Sequence, residues 1–169
     1  MRYLFQLCIA LVGLGVSQAQ DRPAHIDSID ILEKGIYDSR EVARVPTPEL
    51  ASGKSRLLAD LKLVKETTTI PARLGVRFGI RYKLVGEPAG APAPLLWVVK
   101  FPEQGLRNPE TNQTKPDDRV KLNRTIGDIH YRGYGLDADW EVVPGIWTFE
   151  IWQDDRKLAE QKFELVKVK

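Results

Sequence analysis

Between Val76 and Leu84 the chain reads Val-Arg-Phe-Gly-Ile-Arg-Tyr-Lys-Leu, with every even-numbered position apolar and every odd one basic or glycine. Nine residues of strict alternation point to a β-strand with one face in a core and the other in water, because successive strand side chains project to opposite faces. Such a strand needs a second apolar layer to cover it. The rest of the sequence offers several partners.

Leu95-Leu96-Trp97-Val98-Val99 is apolar on both parities and lies near prolines, the pattern of a central buried strand. Ile26 to Leu32 predicts a first strand, with Ile29 and Ile31 on one face. Val120–Leu122 and Ile126–Tyr131 are weaker candidates. Near the end, Pro144-Gly145 reads as a type II turn, since proline presets φ and glycine accepts a positive one. Trp147, Phe149 and Ile151 then share a face. Asp154-Asp155 predicts the next turn, and the chain returns through Leu158 to Val168. Phe163 and Leu165 share a parity that Leu158 lacks, which predicts a bulge or a turn contact there. The stretch at 57–66, with Leu57, Ala59, Leu61 and Leu63 on one parity, fits either a strand or a helix. Residues 38–52, 86–94 and 102–119 hold most of the prolines and read as loops. The third is long for a passive connection.

About seven strands, hairpin signals and few helices predict an all-β fold, an immunoglobulin-like antiparallel β-sandwich. A small β-barrel fits the same pattern.

The first nineteen residues form a separate unit. Arg2 precedes an apolar run, Tyr3 to Val16, that ends in Ser17-Gln18-Ala19. A cationic tip, a short apolar stretch and small residues at −3 and −1 are what a signal peptidase reads. The run falls short of the roughly 20 residues that cross a bilayer. The expectation is a signal peptide over 1–19, cleavage after Ala19, a single domain over 20–169, no stable membrane span after cleavage, and a periplasmic or secreted product. Cys8, the sole cysteine, leaves with the leader, so the mature chain has no disulfide and no cysteine-based metal site. Of 25 Lys and Arg residues only Arg2 is lost, leaving 24 against 23 acidic side chains. That near-neutral balance excludes the basic footprint of a nucleic-acid binder.

Thr69-Ile70-Pro71-Ala72, then Gly75-Val76-Arg77-Phe78-Gly79 leading into a strand, resembles the opening of a family of short exported bacterial proteins known only as a domain of unknown function. Val143 to Phe149, followed by Leu158-Ala159-Glu160-Gln161-Lys162-Phe163, is similar to that family's end. The resemblance spans roughly residues 25 to 168. It implies an exported location and the sandwich fold, and it carries no catalytic or binding residues.

No assembled catalytic set is visible. There is no Gly-x-Ser-x-Gly elbow, and the two histidines, His25 and His130, are too few for a zinc site without cysteine. Asp137, Asp139 and Glu141 alternate as a calcium loop begins, but the glycine and distal glutamate of an EF-hand are missing. No cofactor is expected. Arg77, Arg81 and Lys83 form a basic stripe on the outward face of the first strand described, and a solvated face that resists edge pairing accounts for it. The segment around Tyr131-Arg132-Gly133-Tyr134-Gly135 reads as a glycine-spaced aromatic loop with carboxylates following it. Aromatic rings flanked by carboxylates stack on sugars and anchor protein interfaces. The expected partner site is therefore Tyr131, Tyr134, Asp137, Asp139 and Trp140, on an exported, non-enzymatic binding or accessory module of the bacterial cell envelope. The partner is an unidentified envelope protein or glycan, and the oligomeric state is not legible. The alternative is an envelope-polymer hydrolase that uses the carboxylates at 137–141 with His130.

Overall fold

The computed structural model describes residues 24–168. The expected leader, its cleavage point after Ala19 and Cys8 lie outside the described residues. Eleven strands form within them, rather than seven. One sheet has the order β2-β1-β4-β9, built from β1 (His25–Pro46), β2 (Lys54–Glu66), β4 (Arg77–Glu87) and β9 (Ile129–Gly135). The other has the order β3-β11-β10-β5-β8, from β3 (Thr69–Ala72), β11 (Arg156–Lys167), β10 (Gly145–Gln153), β5 (Pro92–Lys100) and β8 (Asp117–Thr125). Two separate sheets make a sandwich and exclude the single closed barrel. Every pairing within them is antiparallel except β3 with β11.

The alternating strand is the centre of the first sheet. Phe78, Ile80, Tyr82 and Leu84 are all buried on its inner face. Phe78 stacks on Phe149 at 5.4 Å and meets Trp147 and Phe163 edge-on at 5.7 and 5.2 Å. Trp97 meets Phe149 edge-on at 5.1 Å. Offset and edge-to-face contacts of this kind add to the area these rings remove from water. β5 lies between β10 and β8, which is why Leu95 to Val99 is apolar on both parities. Asp154-Asp155 turns the chain between β10 and β11, and the register skips Leu158, the position whose parity is anomalous. That skip is a β-bulge.

The open choice at residues 57–66 resolves as strand, within β2. Two loop expectations are corrected. Residues 38–52 are not a loop: β1 runs on to Pro46, and its distal half pairs with β2 to form a two-stranded arm turning at residues 47–53. Charged residues on both faces hid that strand, because an arm with little core to face has no period-two pattern. Three register shifts along the β1–β2 pairing add local twist and bend the arm. The polar connection after Pro102 contains a hairpin of its own, β6 (Leu106–Asn108) with β7 (Gln113–Lys115). Among the described residues no helix is long and apolar enough to cross a membrane.

Candidate functional site

β9 is an edge strand of the first sheet, as β8 is of the second. The glycine-spaced aromatic segment is therefore the body of a strand, not a loop. The glycines are there for contact rather than for turning. Tyr131 lies against Gly79 and Gly133, so a Cβ on Gly133 would come within 2.2 Å of the Tyr131 hydroxyl and 2.4 Å of the Phe78 carbonyl oxygen. Tyr37 meets the Tyr131 ring edge-on at 4.8 Å. Residues directly opposite in an antiparallel pair share a face. Phe78 faces Tyr134, Ile80 faces Arg132 and Tyr82 faces His130, so these three β9 side chains point inward. Tyr134 packs against Trp147 at 4.9 Å and Phe101 at 5.9 Å. Its hydroxyl donates to Glu141 Oε1 at 3.0 Å.

Glu141 sits in a 3-10 turn, Asp139–Glu141, just past the strand. Its other oxygen accepts the amide hydrogens of Asp137 and Ala138 at 2.8 and 2.9 Å. Burial pushes its carboxyl up, against the pull of these donors. Burial pushes the Tyr134 hydroxyl well up too, helped by the Glu141 charge beside it.

The arm closes over this edge. At its tip the amide of buried Ala51 donates to Asp118 Oδ1 at 2.6 Å, and Asn108 Nδ2 donates to the Ala51 carbonyl at 2.8 Å. Lys115 Nζ adds a bond to the Glu49 carbonyl at 2.9 Å. Along its length, Arg56 pairs with Asp137 and, at 3.1 Å, with Glu41. A hairpin of the first sheet is thus fixed to β8 and the β6–β7 hairpin beside the second.

Under the arm lies a cavity of about 500 Å³, partly open to solvent. Its walls include Trp97, Tyr134 and Trp140, with Leu58 and Leu61 from the arm. That volume falls in the range of small-molecule sites. Its basic lining is Arg44, Lys54, Arg56, Arg77, Arg124 and Arg132, against four acids. Three of those acids are occupied: Asp137 by Arg56, Glu141 by its three donors, and Asp118 by Ala51. Burial raises the Asp118 carboxyl to about 6, partly opposed by the Ala51 amide and Lys115. Arg124 and Arg132, one from each sheet, each keep a buried Nε without a hydrogen-bond partner among the described residues.

The structure brings four of the five expected site residues, Tyr131, Tyr134, Asp137 and Trp140, to this cavity; Asp139 is exposed and outside its lining. The carboxylates at 137–141 do not converge on His130, whose Nε2 lies 3.1 Å from the Thr125 carbonyl. Glu141 and Asp137 are engaged as described. Among the described residues no three His, Asp or Glu side chains gather as a metal set. The basic stripe divides: Arg81 lies on the outer face 3.5 Å from Glu33 and Lys83 is exposed, whereas Arg77 lines the cavity. Sequence reasoning missed the arm, Asp118, Arg124 and Arg132. A signal for the arginines existed: Arg124 shares parity with Val120, Leu122 and Ile126, and Arg132 with Tyr134. Each is a charge placed on a core-facing register.

The family described as domain of unknown function (DUF3859) matches residues 26–165. No curated protein matches the sequence. Among solved structures, the chain is similar to an immunoglobulin-like protein from Pseudomonas aeruginosa, at 27% identity and a TM-score of 0.56, over 87% of this chain and 99% of that one. The chain belongs to the DUF3859 family, and its fold is an immunoglobulin-like β-sandwich.

Proposed function

We propose that this member of the family is an exported, non-enzymatic binding module of the bacterial cell envelope, with its ligand seated in the cavity beneath the β1–β2 arm. The leader at 1–19, with its small residues before the cleavage point, supports export to the periplasm or beyond. The observation that carries the binding reading is the cavity: about 500 Å³, walled by aromatic rings and leucines together with six basic and four acidic side chains, and covered by a hairpin tied down at its tip. Concave, largely apolar sites with a few convergent polar groups are where small molecules and the ends of glycans bind. A rigid sandwich also supports such a site at its periphery without disturbing its core.

Export is tested by N-terminal sequencing of the protein recovered from the envelope fraction. A chain beginning at Gln20 is expected, and recovery of the intact chain in the cytoplasm overturns the reading. Binding is tested by passing envelope extract over the immobilised mature protein and over its Ser55→Trp variant. Ser55 lies on the arm and lines the cavity, so the larger side chain fills it. Material retained by the native protein and lost from the variant is expected. Equal retention on both places the site elsewhere, and no retention on the native protein removes the binding function.

A further inference from the structure

The inner face between β8 and β9 gathers polar ends that have no counterpart. Ala93 lies opposite Arg124 in the β5–β8 register and is fully buried, so Arg124 points toward the first sheet. Arg132 lies opposite buried Ile80 and points back toward the second. The Nε groups of both arginines and the hydroxyl of Tyr82 are shut off from solvent without a hydrogen-bond partner among the described residues. Arg124 makes one bond, from Nη1 to the Asn123 carbonyl at 3.2 Å. Burial lowers Arg132 and the Arg124 charge lowers it further, while Tyr82, Tyr131 and the Asp118 charge oppose the shift. Both arginines also lie close enough to Tyr82 to act on its hydroxyl.

Guanidinium groups are pure donors, and a phenol donates as readily as it accepts. Buried polar groups are almost always paired, so two guanidinium Nε donors without a hydrogen-bond partner call for an explanation. Of the acids in the lining, Asp137 is held by Arg56, Glu141 by Tyr134 and two amides, and Glu110 is exposed. Asp118 accepts the Ala51 amide on one oxygen and acts on Arg132 through its charge, without a hydrogen bond to either arginine. Both arginines line the cavity, and the Arg124 charge acts on Arg132. The same lining carries Trp97, Tyr134 and Trp140.

We infer that the cavity takes a small molecule bearing a single oxyanion, carboxylate or phosphate, which Arg124 and Arg132 grip from opposite sheets while the body of the ligand lies along Trp140, Tyr134 and the arm leucines. Two guanidinium groups match a carboxylate or phosphate through charge-assisted, fork-like hydrogen bonds. The inference rests on the cavity reading above and fails separately from it. Retention that Ser55→Trp abolishes but Arg132→Gln leaves intact keeps the cavity and removes the anion.

The test is titration calorimetry of the mature protein with four probes: glucuronate, glucose 6-phosphate, glucose and inorganic phosphate. Both charged sugars are expected to bind with Kd of about 1 mM or tighter, a threshold of roughly −4 kcal/mol. Glucose is expected to show no heat, and phosphate to bind more weakly than its sugar ester. The tighter of the two charged sugars identifies the oxyanion. Arg132→Gln is expected to weaken binding about tenfold or more, as loss of a charge-assisted pair does. Arg124→Gln repeats the measurement if the first variant melts early. Lys83→Gln, on the exposed outer face, is expected to leave binding unchanged. Binding of glucose as tight as that of the charged sugars overturns the inference. So does the absence of binding by either charged sugar, weakening by Lys83→Gln alone, or unchanged affinity in both arginine variants.

Discussion

Replacing Asp118 by asparagine is expected to stabilise this protein at neutral pH and to leave it nearly unchanged in acid. Asp118 is 1% exposed and holds the arm tip through the Ala51 amide at 2.6 Å, yet it has no ion-pair partner among the described residues. Burial is the main cause that raises its carboxyl from 3.8 to about 6; the charges of Asp117 and Glu141 add to the rise. A carboxyl raised on folding takes up its proton more readily in the folded chain than in the unfolded one. Between pH 3.8 and about 6 the folded state therefore holds more protons, and stability falls as pH climbs through that window. Above it the penalty is constant. At about 1.4 kcal/mol for each pH unit of separation, it comes to about 3 kcal/mol.

The carboxamide in Asp118→Asn would keep the acceptor oxygen for the Ala51 amide and carry no charge. Its NH₂ group needs a partner of its own, which offsets about 1 kcal/mol or more. The net expectation is a gain of about 1–2 kcal/mol at neutral pH. Urea unfolding of both proteins in steps from about pH 4 to pH 8 reads it directly, because the difference between the two curves removes every other titrating group. The difference should be near zero or slightly unfavourable at the acid end and grow through pH 6. A flat difference, or a native protein that is the more stable of the two at neutral pH, refutes the argument and means that the carboxylate has a cation partner in solution.

Gly133→Ala is expected to destabilise by about 3 kcal/mol, because the new Cβ meets the Phe78 carbonyl as well as Tyr131 and backbone cannot step aside; a thermal melt measures it. Asn108→Ala removes the bond to the Ala51 carbonyl and the one from the Glu110 amide to Asn108 Oδ1 at 2.8 Å. It should cost about 1–3 kcal/mol locally, seen as faster hydrogen exchange at residues 47–53 with β10 unchanged.

The parts of the fold that read clearly in the sequence are those in which one strand face meets the core. Phe78 to Leu84, Leu95 to Val99 and Trp147 to Ile151 obey their periods because burial enforces them, and the Asp154-Asp155 turn carries its own local chemistry. The distal half of β1 and its partner in β2 do not read, since they bury little and are held by hydrogen bonds at the tip and by the Arg56 pairs. The tip contact from Ala51 to Asp118 joins residues 67 positions apart, and the Arg56–Asp137 pair joins residues still farther apart. No window of local sequence contains them. The strand in Tyr131–Gly135 is hidden for another reason: glycine ordinarily weakens a strand, and here it makes room for a ring.

The site follows from that same division. Along β8, Val120 and Leu122 face the core and Arg124 continues their register; on β9, Arg132 precedes Tyr134 on the inner face. Leucine at either arginine would bring the edges of the two sheets together over apolar contact, as inner faces of sandwiches do. Arginine there opposes such closure, because a guanidinium loses its water on burial and is repelled by a second cation nearby. The arm then covers the gap with a hairpin tied to Asp118 and Asn108 rather than filling it with side chains. Three separate choices, two charges in a core register, an unpaired buried carboxylate and a hairpin carried over the edge, each lower the stability of a sandwich that has an ample aromatic core elsewhere. Local rules broken together at one place are the pattern expected where a fold has been shaped to receive something.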